Sequence, residues 1–143
     1  MPTRNAQAFW EGGLKNGKGM FKGESGAIDG AYSFGSRFEN GTGSNPEELL
    51  AAAEAACFSM ALSGALEKNG TPSTKVQTSA ACTVEPVPGG FGITTMKLEV
   101  VANVPGLDEA KFQEIAAATK DACPVSKALK GNVRIELKAT LNP

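Results

Sequence analysis

The sequence predicts an α+β fold in which antiparallel sheets surround two long central helices. Two observations carry this prediction. Glycine-rich and alternating segments have the patterns of short and long strands, and two stretches of helical spacing interrupt them. At 143 residues, the chain has the ordinary size of one domain, so a single domain over residues 1–143 is expected.

The first part of this domain, residues 1–44, is predicted to be a meander of short antiparallel strands. Between Ala6 and about Phe38, glycines alternate with aromatic residues. Turns are expected at Gly12-Gly13, Asn16-Gly17 and Asp29-Gly30, because these dipeptides are typical of tight hairpin connections.

A central helix is predicted over residues 45–70. Asn45 can cap its start, Pro46 suits the first helical position, and Asn69-Gly70 can end it after about Lys68. The helix is apolar or small nearly all the way round, so it has to be covered on every side. One chain of this size would struggle to cover it, which hints at an intertwined dimer.

The rest of the chain, residues 71–143, is predicted to hold a hairpin, a second helix, a short helix and a final strand. The second helix should end near Cys123, because Pro124 disfavours helical geometry in the residue before it. In order, the predicted elements are strands over 74–84 and 91–104 joined by a turn at 86–90, helices over 108–123 and 124–130, and a strand over 133–141.

Composition excludes several classes of function. Fourteen basic and fifteen acidic residues give a net charge of -1 with no long block of either sign, so neither nucleic acid nor a membrane surface is an expected partner. The chain has no histidine and no Cys-x-x-Cys spacing, so no metal and no other cofactor is expected. Three cysteines are too few for a secreted disulfide scaffold, which favours the cytoplasm. The only candidate membrane span, Leu49 to Leu66, is interpreted as a buried helix.

Two of the cysteines lie in unlike helical contexts and together indicate a two-thiol redox enzyme. Cys57 lies within the central helix among small apolar residues, where simple core packing is the alternative. Cys123 immediately precedes a proline at a helix start, where backbone N–H groups and the helix dipole lower the pKa of a thiol. Cys82 lies in a strand without charged neighbours and is expected to pack in the core.

A reactive Cys57 would need a nearby cation, because an ordinary thiol is only a few per cent thiolate near neutral pH. A guanidinium within about 4 to 6 Å lowers such a pKa by one to three units. Arg37, just before the central helix, is the best placed arginine. Arg4 and Arg134 lie near the termini and are expected to be solvated.

Four segments in this order resemble the OsmC/Ohr family of thiol peroxidases: Ser36–Glu39, Asn45–Leu49, Ala55–Leu62 and Cys123–Ser126. The resemblance covers nearly the whole chain and is closer to the osmotically inducible OsmC branch than to the organic hydroperoxide resistance (Ohr) branch. It implies an OsmC-like fold in an intertwined homodimer, an antioxidant role and a link to stress.

The resemblance also implies the roles of individual residues. Cys57 would be the peroxidatic cysteine, Cys123 the resolving cysteine, and Arg37 with Glu47 the pair that holds and activates the thiolate. Organic hydroperoxides would be reduced to alcohols through a Cys57 sulfenic acid and a Cys57–Cys123 disulfide. An external dithiol, such as a lipoylated protein or a small thiol, would then reduce the disulfide. Many relatives have a histidine where this chain has Glu54, whose charge is expected to raise the pKa of Cys57.

The spacing of Glu47 and Cys57 adds a constraint of its own. In a continuous helix, ten residues separate them by about 15 Å along the axis. One arginine can then contact both only if the segment before about Leu50 leaves the helix, or if the glutamate and the cysteine come from different subunits. With the apolar helix, this favours a composite site at a dimer interface.

Apolar residues near the predicted site are suited to the organic group of a hydroperoxide, with ordinary core packing as the alternative for each. They are Phe34, Phe38, Phe58, Met60 and Phe91. Two other functions stay open. In the first, the same disulfide belongs to a redox sensor that alters a surface without turnover. In the second, the chain forms a ligand-binding dimer with structural cysteines.

Overall fold

Two three-stranded sheets and four helices make up the structure, a computed structural model that describes residues 1–143. The α+β class is therefore confirmed. By their internal contacts, the residues divide into two compact units, 1–49 and 50–143. That both belong to one domain stays a prediction.

The first unit opens with the antiparallel meander that the sequence predicts. Its strands are β1 (Ala6–Glu11), β2 (Lys18–Gly23) and β3 (Asp29–Tyr32), paired in that order. The two predicted turns at Gly12-Gly13 and Asn16-Gly17 are the ends of one connection between β1 and β2.

The turn expected at Asp29-Gly30 is wrong, because both residues belong to β3. The chain turns earlier, over residues 24–28, where Gly26 has a φ of +79° and the Gly23 N–H donates to the carbonyl of Ile28 at 2.8 Å. Gly30 meets a different need: a Cβ there would lie 2.7 Å from the ring of Phe21. Its missing side chain leaves room for a close cross-strand contact.

A short helix that the sequence did not predict, α1 (Phe34–Phe38), follows the meander. Ser33 caps it: the Ser33 hydroxyl accepts from the N–H of Ser36, and the Ser36 hydroxyl accepts from the N–H of Ser33. This reciprocal pair satisfies two backbone donors that a helix start leaves open.

The central helix, α2 (Pro46–Lys68), agrees with the sequence prediction at both ends. The Asn45 side chain accepts from the N–H of Glu48 at 2.7 Å, which is an N-cap contact. Gly70, with a φ of +83°, takes the left-handed conformation that ends helices.

The second unit holds a mixed sheet rather than the purely antiparallel one expected. Strands β4 (Lys75–Val87) and β5 (Gly90–Asn103) pair antiparallel, whereas β6 (Arg134–Asn142) runs parallel to β5. A parallel pair needs a long crossover connection. Here α3 (Glu109–Ala122) and α4 (Pro124–Leu129) supply it.

The β4–β5 turn is shorter than the sequence predicts. Both strands extend into the predicted turn at residues 86–90, and only Pro88 and Gly89 lie outside them. A change of register at Thr83 and Val84 keeps the long hairpin paired. The predicted start of α3 is confirmed, because the Asp108 side chain caps it through the N–H of Lys111.

One hydrophobic core lies in the second unit, built from one stripe of α2, the inner face of β5 and the inner face of α3. Its buried members are Phe58, Leu62, Leu66, Met96, Leu98, Val100, Ala102, Val104, Phe112, Ala116, Cys123 and Val133. The three α2 residues are spaced by four, so they form a single stripe along the helix.

The prediction that Leu49 to Leu66 is a buried helix is therefore wrong for the chain alone. Only 22% of the apolar window of α2 is buried, and Met60 is 81% exposed. By length and composition α2 is a candidate membrane span, a test that core helices of soluble proteins also pass. Much of the apolar surface of α2 is thus exposed in the single chain.

Candidate active site

Cys57 and Cys123 lie side by side in the second unit. Their Sγ atoms are 2.8 Å apart, with the Cys123 thiol donating to the sulfur of Cys57. Cys57 is half-buried on α2 and Cys123 is fully buried. A disulfide bond is about 2.05 Å long, so the two sulfurs need only a small approach to form one.

Backbone bonds at the junction of α3 and α4 fix the position of Cys123. Its N–H donates to the carbonyl of Thr119 and closes α3, while its own carbonyl accepts from the N–H of Lys127 and opens α4, both at 2.9 Å. Pro124 occupies the first position of α4, where its missing N–H costs nothing. The sequence therefore places the second thiol at a helix junction, as predicted.

The groups around Cys57 on this chain work mainly against its thiolate. Burial raises the pKa of the Cys57 thiol most, followed by the hydrogen bond with Cys123; the backbone N–H of Val125 lowers the pKa, and the charges of Cys123 and Glu54 raise it further. The rise expected from Glu54 is thus confirmed in direction. The backbone N–H that acts on Cys57 comes from the first turn of α4. On balance, the groups of this chain favour the neutral thiol of Cys57.

Glu54 is fully buried three residues before Cys57 on the same helix. One carboxyl oxygen accepts a hydrogen bond from the Ser126 hydroxyl at 2.5 Å, and the other, Oε2, has no hydrogen-bond partner. Sequence reasoning noted Glu54 for its charge but missed Ser126. The available signal was spacing: Ser126 follows Cys123 by three residues, as Glu54 precedes Cys57 by three.

Arg37 and Glu47 form an ion pair in the first unit. Arg37 donates to Glu47 Oε1 from both Nε, at 3.0 Å, and Nη2, at 2.8 Å. Glu47 is buried, with 5% of its surface exposed, whereas about a third of the Arg37 side chain is exposed. The guanidinium also lies over the ring of Phe38, 5.2 Å from its centroid. These contacts fix the plane of the guanidinium.

The short helix α1 is itself held in place next to the start of α2. The Ser36 hydroxyl donates to the carbonyl of Ser44 at 2.7 Å, and the Asn45 amide donates to the carbonyl of Ser36 at 2.9 Å. These hydrogen bonds hold α1 in the position in which Arg37 contacts Glu47, which lies in the first turn of α2.

The four predicted catalytic residues thus form two pairs, Cys57 with Cys123 and Arg37 with Glu47. Glu47 and Cys57 both lie on α2, which is one uninterrupted helix, so they stand about 15 Å apart along its axis. The alternative in which the segment before Leu50 leaves the helix is therefore excluded.

The five apolar residues predicted to bind substrate lie in different environments. Phe34 and Phe38 lie on α1 with ring centroids 5.1 Å apart. Met60 on α2 and Phe91 at the start of β5 are exposed, the latter by 60%. Phe58 has no exposed surface and is part of the core, so it offers nothing to a ligand in this structure.

No group of three or more histidine, cysteine, aspartate or glutamate side chains is arranged to hold a metal ion. Cys82 lies half-buried on β4 and packs against the core, as expected for a packing residue.

Comparison with known proteins places these features in a family. A family model described as OsmC-like protein matches residues 39–138. Peroxiredoxin OsmC of Escherichia coli (strain K12) is 43% identical over 134 residues, which cover 93% of this chain and 94% of that protein. Organic hydroperoxide resistance protein OhrB of Bacillus subtilis (strain 168) is 39% identical over 101 residues, covering 70% of this chain and 72% of that protein.

Solved structures agree with this placement. A crystal structure described as an organic hydroperoxide resistance protein OsmC from Legionella pneumophila superposes with a TM-score of 0.78 and 25% identity, and covers 98% of both chains. That of OhrB of Bacillus subtilis gives a TM-score of 0.66 and 29% identity, over 95% of this chain and 98% of that one. The chain therefore belongs to the OsmC family.

Proposed function

We propose that this protein is a cysteine peroxidase that reduces organic hydroperoxides to alcohols. The observation that carries the proposal is the 2.8 Å approach of the Cys57 and Cys123 sulfurs. The names of its relatives, peroxiredoxin and organic hydroperoxide resistance protein, support a role in peroxide detoxification. The two-thiol mechanism is the finer part of the proposal.

In the first step, the Cys57 thiolate attacks the terminal oxygen of R-O-O-H. An S–O bond forms as the O–O bond breaks, and the leaving alkoxide takes a proton to give the alcohol R-O-H. Sulfur is oxidised to a sulfenic acid and the peroxide is reduced. Cys57 is half-buried, whereas Cys123 is fully buried, which suits Cys57 to be the thiol that meets the substrate.

In the second step, the Cys123 thiol condenses with the sulfenic acid. The Cys57–Cys123 disulfide forms and one water molecule leaves, made of the sulfenic hydroxyl and the thiol proton. A dithiol, from a lipoylated protein or a small molecule, then reduces the disulfide and is itself oxidised to a disulfide. Resolution protects Cys57 from a second oxidation, which is irreversible.

Activation of Cys57 in this proposal requires the Arg37–Glu47 pair of a second copy of the chain. The groups of its own chain raise the pKa of Cys57, so a cation has to offset them. The uninterrupted α2 keeps Glu47 about 15 Å from Cys57. The open apolar surface of α2 favours an intertwined homodimer, in which each site would combine Arg37 and Glu47 of one copy with Cys57 and Cys123 of the other.

In such a site, Arg37 would act twice: it stabilises the thiolate before attack and the developing charge on the leaving oxygen during attack. Glu47 holds the planar guanidinium through two nitrogen donors, a geometry that lysine does not reproduce.

The proposed substrate is an organic hydroperoxide rather than hydrogen peroxide. The candidates to line its binding surface are Phe34, Phe38, Met60 and Phe91, because contact with apolar side chains stabilises a bound alkyl or aryl group. Phe58 is left out because it is fully buried. We place the enzyme in the cytoplasm, in line with its few cysteines.

Turnover tests this function. The purified protein is mixed with dihydrolipoamide and either cumene hydroperoxide or hydrogen peroxide, beside Cys57→Ser and Cys123→Ser variants. Catalytic consumption that favours the organic substrate and vanishes in Cys57→Ser supports the proposal. One stoichiometric oxidation without turnover would instead indicate a sensor. The absence of any reaction would indicate that Cys57 has only a structural role.

A further inference from the structure

Two bridges in matching register join α2 to the start of α4. Cys57 meets Cys123, and Glu54 meets Ser126. On α2 the two bridging residues are three apart and lie on one face, one turn from each other. At α4 they are the N-cap residue and a residue of the first turn, also three apart. The segment that carries Cys123 is thus tied to α2 at a second point.

We infer that the Glu54–Ser126 hydrogen bond is a positioning device for the resolving step, which holds the first turn of α4 so that the Cys123 thiol stays against Cys57. The inference rests on the proposed function and extends it, because it assigns a role to a pair that does not touch the substrate. Glu54 and Ser126 are positioning residues rather than catalytic ones.

Backbone hydrogen bonds and the packing of Val125 on the core also hold the first turn of α4, but no side-chain cap does. The helix has six residues, and Cys123 at its N-cap makes no side-chain capping bond. Ser126 is 2% exposed, and its hydroxyl supplies a side-chain hydrogen bond that the helix does not supply for itself. This turn contributes both the Cys123 thiol and the Val125 N–H to Cys57, so its position governs two contacts of the reacting sulfur.

Stability alone does not account for this pair. Glu54 is fully buried and belongs to none of the three ion pairs of the chain, which join Arg37 to Glu47, Lys111 to Glu114 and Arg134 to Glu136. Its second oxygen has no hydrogen-bond partner. Apolar side chains at both positions would avoid that desolvation cost. A directional bond, by contrast, fixes where α4 begins.

Resolution competes with a second oxidation, which makes the position of Cys123 measurable. The Cys57 sulfenic acid either condenses with Cys123, releasing water, or reacts with a second hydroperoxide to give a sulfinic acid and another alcohol. Movement of Cys123 away from Cys57 slows the first route without changing the second. The ratio of disulfide to sulfinic acid therefore reports the geometry.

Among titratable groups, Cys57 interacts with the charge of Glu54 on its own helix and with Cys123 from the α3–α4 junction, and Cys82 of β4 packs on the same core. Glu54→Gln keeps an oxygen for Ser126 and removes the negative charge. Because that charge disfavours the thiolate, alkylation of Cys57 should begin at lower pH in Glu54→Gln, while the ratio of disulfide to sulfinic acid stays near that of the wild type.

The deciding experiment compares Ser126→Ala and Ser126→Thr in the full-length protein. Cumene hydroperoxide is added in excess, samples are quenched over time, sulfenic acid is trapped with dimedone, and the state of Cys57 is read by mass spectrometry. In Ser126→Ala we expect disulfide formation to slow about tenfold relative to the formation of sulfenic acid, so that sulfinic acid accumulates. Ser126→Thr keeps a hydroxyl and should restore resolution.

A matched control is Ser59→Ala, which removes another α2 hydrogen bond, the 2.7 Å contact with Thr78, and should resolve as the wild type does. The double variant Glu54→Met with Ser126→Ala removes both polar partners and is expected to fold. Its disulfide should form as slowly as that of Ser126→Ala.

Disulfide formation at the wild-type rate in Ser126→Ala or in the double variant would overturn this inference and leave the proposed function standing. A wild-type protein that forms neither sulfenic acid nor disulfide would overturn the proposed function and this inference with it.

Discussion

Replacement of Arg37 should move the pH dependence of Cys57 to higher pH. Arg37 donates from two nitrogens to Glu47, at 3.0 and 2.8 Å, and Glu47 is 5% exposed, so the guanidinium is held in one orientation. In the proposed dimer this cation is what offsets the burial and negative charge that raise the pKa of Cys57. Arg37→Ala removes it, and Arg37→Lys keeps the charge but loses the two-point contact.

The size of the effect follows from the charge. A cation close to an acid lowers its pKa by about one to three units, and each unit changes the thiolate fraction tenfold at pH values well below both pKa values. Near neutral pH, Arg37→Ala should therefore react with cumene hydroperoxide about 10- to 1,000-fold more slowly. The difference between the two oxidation rates should shrink as the pH rises, because Cys57 then becomes a thiolate in both proteins. Arg37→Lys should also lose most of the activity.

The assay is the second-order rate of Cys57 oxidation, followed by stopped flow over a pH series, with alkylation by iodoacetamide as a substrate-independent probe. Arg134→Ala is the matched control, since its ion pair with Glu136 is solvent-exposed and should contribute little. Removal of Arg37 also leaves the buried Glu47 unpaired, so thermal unfolding checks that the variant folds. A pH profile for Arg37→Ala that coincides with that of the wild type would show that Arg37 does not activate Cys57.

Three further predictions concern the resolving thiol, the dimer and the core. Cys123→Ser should reduce one equivalent of cumene hydroperoxide, accumulate Cys57 sulfinic acid at excess peroxide and fail to turn over with dihydrolipoamide; sustained turnover would contradict this. Cys57→Ser, which is inactive, and Arg37→Ala, which is strongly slowed, should recover about a quarter of wild-type activity when unfolded and refolded together, because half of the dimers are mixed and each carries one complete site; activity no higher than that of Arg37→Ala alone would argue against the composite site. Phe58→Ala should lower the free energy of unfolding by about 3 to 5 kcal/mol in urea titrations, since Phe58 is fully buried in the core; a loss below about 1 kcal/mol would place it outside the core.

Local signals in the sequence are sufficient for three of the four helices, α2, α3 and α4. Asn45 caps α2 and Gly70 ends it, Asp108 caps α3, and Pro124 separates α3 from α4. Each of these residues acts on its own neighbours through backbone hydrogen bonds or φ, so a reading of adjacent residues identifies them.

Features that depend on distant residues were missed. The parallel pairing of β6 with β5 depends on the path of the α3–α4 crossover, which no local pattern encodes. Gly30 looked like a turn residue, but it makes room for Phe21 on the neighbouring strand. The helix α1 has only five residues, too few for a periodic pattern.

The candidate site shows the same division. Residue type and place relative to α2 are enough to identify Arg37 and Cys57. Cys57 and Cys123 are 66 residues apart, and only the family resemblance predicts that they pair. The bond between Glu54 and Ser126, 72 residues apart, had no such guide. Long-range polar contacts of this kind require the folded chain.

The two-thiol mechanism can be tested by peptide mapping after oxidation with one equivalent of cumene hydroperoxide. We expect one Cys57–Cys123 disulfide within each chain, cumyl alcohol in equal amount and Cys82 still reduced. A protein whose Cys57 and Cys123 both stay reduced, or whose disulfide joins other cysteines, would contradict it.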